Sequence, residues 1–226
     1  NRDPATPGVT VPAPSSRWLR GLILLAGLMI PQWIMYGASL SGNKVLLPLD
    51  LLARPNQYLP PTEEYQAHLP VHNPILSDQV LSLEFSRRFC TSEIRKGRLP
   101  LWCPNYFLGA PITKWPKYSP FQWIYHAIPS PTTLAWMHVA KCLVAGLGAY
   151  WFFRRTLEVE YWPAALGAWC FPLTGFLILW QGYTMSYTVA WLPWLLWAIH
   201  STLHWPRSSA ARRSSHDFTS PLAPLP

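Results

Sequence analysis

The residues of this chain that could do chemistry gather in one polar stretch, with a single exception further along. Asp78 follows Ser77 at the start of a segment that reads as a helix, and Asp50 sits within Leu47-Pro48-Leu49-Asp50-Leu51-Leu52. A carboxylate in either place can accept a proton from an attacking hydroxyl or hold a metal ion. The commoner role for an acid at the position of Asp78 is to cap the helix, through the free amides and dipole of its first turn. For Asp50, with apolar neighbours on both sides, exposure at the surface is the commoner outcome, because charged groups are seldom buried unpaired.

Arg87 and Arg88 share the segment of Asp78, and Arg95, Lys96 and Arg98 continue the basic run to its end. Arginine matches phosphate geometry, so this group suits a lipid-linked phosphate, while a solvated helix face with cations at its C-terminus is the plainer alternative. Lys114 and Lys117, separated by Trp115 and Pro116, suit the same ligand from a rim. Lys141 is the exception: it lies near the middle of an apolar run. A lysine there costs about 2.5–3.5 kcal/mol and faces a protein interior or a cavity. No phosphate-cradling glycine loop, nucleophile elbow, zinc pattern or haem pattern occurs. The four cysteines include no pair at metal-ligand spacing, and Cys90 and Cys103 are either a disulfide or two free thiols.

The scaffold that must position these residues is a membrane scaffold. Of 226 residues, 50% are hydrophobic and 12% charged, against about a quarter charged in soluble domains, which must keep their surfaces wet. No Asp, Glu, Lys or Arg occurs between Tyr161 and Pro206. The net charge of +8 is scattered over loop ends rather than gathered into a stripe, which argues against nucleic acid as a partner.

The predicted fold is all-α and integral to the membrane, with about four transmembrane helices, since ~20 helical residues cross a ~30 Å core. They fall at 18–40, at 131–153 and in a hairpin over 162–200. Ala145, Gly146, Gly148 and Ala149 would let the second approach a neighbour closely. Residues 41–130 form a large extracytoplasmic loop with an amphipathic helix at 77–96, where Leu81, Phe85 and Phe89 mark the apolar face and Gly97 the stop. The tails 1–17 and 206–226, rich in proline or in serine and arginine, read as disordered. Arg17 and Arg20, then Arg154 and Arg155, then Arg207, Arg212 and Arg213 all fall on one side of such a topology, which makes both termini cytoplasmic.

Asn73-Pro74-Ile75-Leu76-Ser77-Asp78-Gln79, Gly97-Arg98-Leu99-Pro100-Leu101-Trp102-Cys103-Pro104 and Gly109-Ala110-Pro111 together resemble bacterial YfhO-like multi-span membrane proteins. Leu166-Gly167-Ala168, Thr174-Gly175-Phe176 and Ala190-Trp191-Leu192-Pro193 resemble the same family, so the likeness covers roughly Leu46 to Leu196. It implies a glycosyltransferase of the C-type fold in the bacterial cytoplasmic membrane. Such an enzyme takes a sugar from a polyprenyl-phosphate donor, outside the cytoplasm, to modify a cell-envelope glycan or lipid. In such enzymes an acid of the first large outer loop serves as base or as ligand to a divalent metal. The resemblance therefore implies a catalytic role for Asp78 first and Asp50 second, with metal dependence left open. Family members have more spans, so the chain is expected to be an N-terminal portion of a longer protein. The alternative expectation is a non-catalytic membrane subunit or scaffold whose outer loop binds a partner protein.

Overall fold

The computed structural model describes residues 16–53, 62–63, 73–105, 108–112 and 118–217. The chain is mostly helical, and the long helices form one bundle with smaller elements seated on one end. Helix α1 (Arg17–Leu40) contains Pro31 and buries Leu24, Leu28, Gln32, Tyr36 and Leu40, one side chain at every fourth position. Its other faces leave Leu22, Ile30, Trp33 and Ile34 exposed. A helix apolar on all sides yet buried on one stripe needs an apolar surrounding for the rest.

The polar stretch after α1 holds a 3-10 turn (Leu49–Ala53), a second (Pro74–Leu76), a π-helical turn (Gln79–Glu84) and helix α2 (Phe85–Arg95). Gly97, at φ +74°, ends α2 in the left-handed region that a glycine enters without strain. A two-stranded antiparallel ribbon follows, β1 (Trp102–Cys103) against β2 (Ala110–Pro111), and then helix α3 (Pro120–Ala127). Cys90 and Cys103 meet in one small buried cluster with Ile112, and they are not joined in a disulfide.

Helix α4 (Pro131–Arg155) is the hub, packed against α1, α3 and everything after it. Ser130 Oγ accepts the Thr132 amide at 3.3 Å and Pro131 occupies the first turn, where its missing N–H costs nothing. Next come α5 (Tyr161–Cys170), a 3-10 turn at Pro172, and α6 (Gly175–Leu179). Helices α7 (Met185–Ala190) and α8 (Leu192–Asp217) complete the chain. Tyr161 Oη donates to the Arg20 carbonyl at 2.8 Å and Trp169 Nε1 to the Leu24 carbonyl at 3.0 Å, fastening α5 to α1. Trp194 Nε1 reaches the Val144 carbonyl at 2.9 Å, fastening α8 to α4 across Gly148.

Gly146 is where α4 comes closest to its neighbours. A Cβ there would meet Leu28, and would lie 3.0 Å from the Ala168 carbonyl oxygen and 3.2 Å from Pro172. Gly146→Val should therefore lower stability by about 1–3 kcal/mol, the usual cost of overpacking. Unfolding followed by tryptophan fluorescence in detergent measures it, and an unchanged midpoint would contradict the close packing.

Among the described residues, two helical stretches are long and apolar enough to cross a membrane, Arg17–Leu40 and Tyr161–Leu179. The sequence pattern predicts four. Helix α4, over the expected second span, carries His138 and Lys141 buried among its neighbours, and the expected fourth breaks at Trp191 into α7 and α8. The tail expected to be disordered from residue 206 continues α8 as far as Asp217, while residues 1–15 of the N-terminal tail lie outside the described residues. Over 77–96 the buried side is not the one marked by Leu81 and Phe85, which are exposed, but Leu83, Glu84, Arg87 and Cys90.

Candidate functional site

Between Asn73 and Arg95 the backbone is wound tightly, then loosely, then normally. Asn73 Oδ1 accepts the Ile75 amide at 3.1 Å at the start of the first turn. Asp78, expected as a cap, makes no capping bond with its side chain. The π-turn that follows is a rare form that concentrates at functional sites. It turns Gln79, Leu83 and Glu84 into the protein.

Glu84 is the centre of what results. Its Oε2 pairs with Arg87 Nη1, and its Oε1 accepts Arg88 Nε at 2.7 Å and the Tyr125 hydroxyl at 3.4 Å. The Arg87 guanidinium lies over the Tyr125 ring, 5.3 Å from its centre. Arg88, mostly exposed, is held protonated above its ordinary range, chiefly by its hydrogen bond to Glu84. Glu93, beyond Arg88 on α2, is held below the usual carboxylate range by its hydrogen bond from Lys96, with Arg98 beside it.

Two cavities flank this assembly. The first, about 790 Å³, is lined by Arg88, Arg95 and Lys96, by Val45, Leu49 and Leu134, and by Glu84. The second, about 470 Å³, is apolar except for Asn73, Gln79 and Gln181. Val45 and Leu47 border both. Asp78 adjoins the second cavity through Gln79; it is exposed and stands beside Tyr183 in the turn after α6. Burial pushes the Tyr183 phenol up, and the Asp78 charge adds to the effect. Tyr183 Oη donates to the Ile75 carbonyl at 3.0 Å, tying the turn to the segment that carries Asp78. Asp50 is half-buried in the 3-10 turn whose Leu49 lines the basic cleft.

A third space, about 20 Å³, is enclosed by Arg87, His138, Lys141, Gln181 and Tyr187 among others. That is room for about one water. Lys141 Nζ donates to the Gln181 carbonyl and to Ser186 Oγ, the latter at 2.8 Å, and sits over the Tyr187 ring at 4.8 Å. Arg87 Nε, His138 Nδ1 and Gln181 Oε1 are buried without a hydrogen-bond partner among the described residues.

Of the residues singled out in the sequence, Arg88 faces the basic cleft, whereas Arg87 and Lys141 are drawn into the interior between the cleft and the α6–α7 turn. Asp78 and Asp50 are not brought together in one cavity lining. Lys114 and Lys117 lie outside the described residues. Glu84 escaped the sequence reading, although its spacing to Arg87 and Arg88, three and four residues, is that of helical ion pairs. Among the described residues no three His, Cys, Asp or Glu side chains converge as metal ligands would, so no donor set for a divalent metal is assembled there. No family model matches the chain, and no curated protein or solved structure does.

Proposed function

We propose that this is a glycosyltransferase-like protein of the bacterial cytoplasmic membrane. In this reading it has four spans, a large outer loop and cytoplasmic termini, and it uses a polyprenyl-phosphate-linked sugar to modify an envelope glycan or lipid, as its resemblance to YfhO-like proteins implies. The observation that carries the reading is the basic cleft, whose lining brings three cations together with apolar side chains. That pairing of surfaces suits a phosphate joined to a hydrocarbon chain better than a free anion, because each half of the ligand finds its own partner.

In this reading the donor phosphate lies against Arg88, Arg95 and Lys96. The acceptor hydroxyl passes its proton to Asp78 as its oxygen attacks the anomeric carbon. The sugar–phosphate bond breaks with its electron pair on the phosphate, where the cations favour the added charge. Charge reversal tests the cleft: Arg88→Glu and Lys96→Glu should each weaken binding to vesicles carrying polyprenyl phosphate by more than about fivefold, since ~1 kcal/mol goes with the cation removed and the new carboxylate repels the phosphate. Flotation with plain phosphatidylcholine vesicles is the control, and undiminished binding in both variants would remove the cleft from the donor site.

The second reading, a non-catalytic subunit, draws on Leu99, Leu101, Trp102 and Leu108, which stand exposed around the β-ribbon. A partner protein would cover such a patch. Loss of sugar transfer in a lone Asp78 variant separates the two, since a scaffold has none to lose.

A further inference from the structure

The end of the bundle opposite the basic cleft holds a second basic pocket, which sugar transfer does not use. Pro131 lines the cleft at the start of α4, while Arg154 and Arg155 line the pocket at its end, about 36 Å away along the helix axis. Arg17 of α1 completes the group of cations, with Tyr150 and Trp151 between them. The pocket encloses about 420 Å³, inside the ~300–1,000 Å³ range of ligand sites.

Among the described residues the arginines are positioned without a paired carboxylate. Arg154 Nη1 is held by the Val159 carbonyl at 2.6 Å, and Arg155 lies over the Trp151 ring at 5.1 Å. Among the described residues the ion pairs all lie on or near α2, and none joins a carboxylate to Arg17, Arg154 or Arg155. Glu158 and Glu160, on the connection after α4, are exposed. Trp151 of the lining is exposed, as are Trp18, next to Arg17 in the chain, and Leu157, two residues after Arg155. A free phosphate would meet the guanidinium groups, yet it would leave this apolar rim bare and much of the volume unfilled. A molecule with a phosphate head and an acyl chain satisfies both.

We infer that the pocket formed by Arg17, Arg154 and Arg155 is a binding site for the headgroup of an anionic phospholipid. The inference rests on the four-span reading for the leaflet, which is the cytoplasmic one, where anionic lipids concentrate. It does not depend on sugar transfer.

The test uses the full chain, purified in detergent and stripped of lipid, with phosphatidylglycerol, phosphatidylcholine or free glycerol phosphate added back. Phosphatidylglycerol should raise the unfolding midpoint and remain attached in native mass spectra, with phosphatidylcholine and glycerol phosphate doing neither at equal concentration. The double variant Arg17→Gln/Arg155→Gln should bind phosphatidylglycerol about twenty-five-fold more weakly, since each cation contributes roughly fivefold. Binding of polyprenyl-phosphate vesicles should be unchanged in that variant, while Arg88→Glu should show the reverse pattern. Equal responses to the two phospholipids would overturn the inference. So would a response to glycerol phosphate as large as that to phosphatidylglycerol, or undiminished binding in the double variant. The lipid comparison on the unaltered protein decides the matter even if the double variant does not fold.

Discussion

Asp78→Asn should abolish sugar transfer, a loss on the order of 10²–10⁴-fold for a missing general base, while the protein stays inserted and folded. Asparagine keeps the shape of the side chain but cannot take the proton. Because Asp78 makes no capping bond, the helix start held by Asn73 has nothing to lose from the change. The variant is compared with Asp50→Asn by consumption of polyprenyl-phosphate sugar in membranes, with protein level measured in parallel. Full activity in Asp78→Asn would sink the assignment, and loss confined to Asp50→Asn would move the base to the 3-10 turn beside the basic cleft. A readout independent of activity comes from Tyr183, whose phenol the Asp78 charge helps to raise. Removing that charge should let Tyr183 ionise at lower pH in an absorbance titration. An unmoved titration would place the two side chains apart.

The largest effect on stability is expected at Glu84. Glu84→Gln leaves the Arg87 guanidinium, only 4% exposed, without its carboxylate. Breaking a buried pair from one side costs about 3–5 kcal/mol, because a desolvated charge remains uncompensated. Adding Arg87→Met to Glu84→Gln should recover a good part of the loss, since removing both charges ends the penalty. Unfolding midpoints of the single and double variants measure this. A single variant as stable as the parent would show that the pair is solvated.

The contrast between Glu84 and α1 explains how far the sequence could be read. Helix α1 was legible as a helix because a long uncharged apolar run forms one wherever it is buried, in lipid or in protein, and Gly97 because a left-handed stop needs a residue without a Cβ. Gly146 and Gly148 were legible for a similar reason: small residues in an apolar helix mark the faces where others come close. The inner face of the 77–96 segment was misread, and polarity is the cause. Here Leu81 and Phe85 point out while Glu84, Arg87 and Gln79 point in, and the π-turn shifts the register between the two halves. A looser turn leaves no mark in a pattern of residue types, so the cluster around Glu84 emerged only from the three-dimensional arrangement. The four-span count failed to resolve for the opposite reason: α4 hides its polar residues inside the bundle, so its mean character understates how deeply it is enclosed.

Lys141 also bears on how the molecule comes into being. The groups that receive its ammonium, the Gln181 carbonyl and Ser186 Oγ, lie forty and forty-five residues further along the chain. In the four-span reading, until they arrive the helix must hold a lysine that costs about 2.5–3.5 kcal/mol in the lipid core. Release of α4 from the insertion machinery is then favoured only once the following hairpin is made and docks against it. A nascent chain arrested after Arg155 would linger at the translocon or be cleared by membrane proteases, whereas one arrested after α7 would carry its own acceptor and persist.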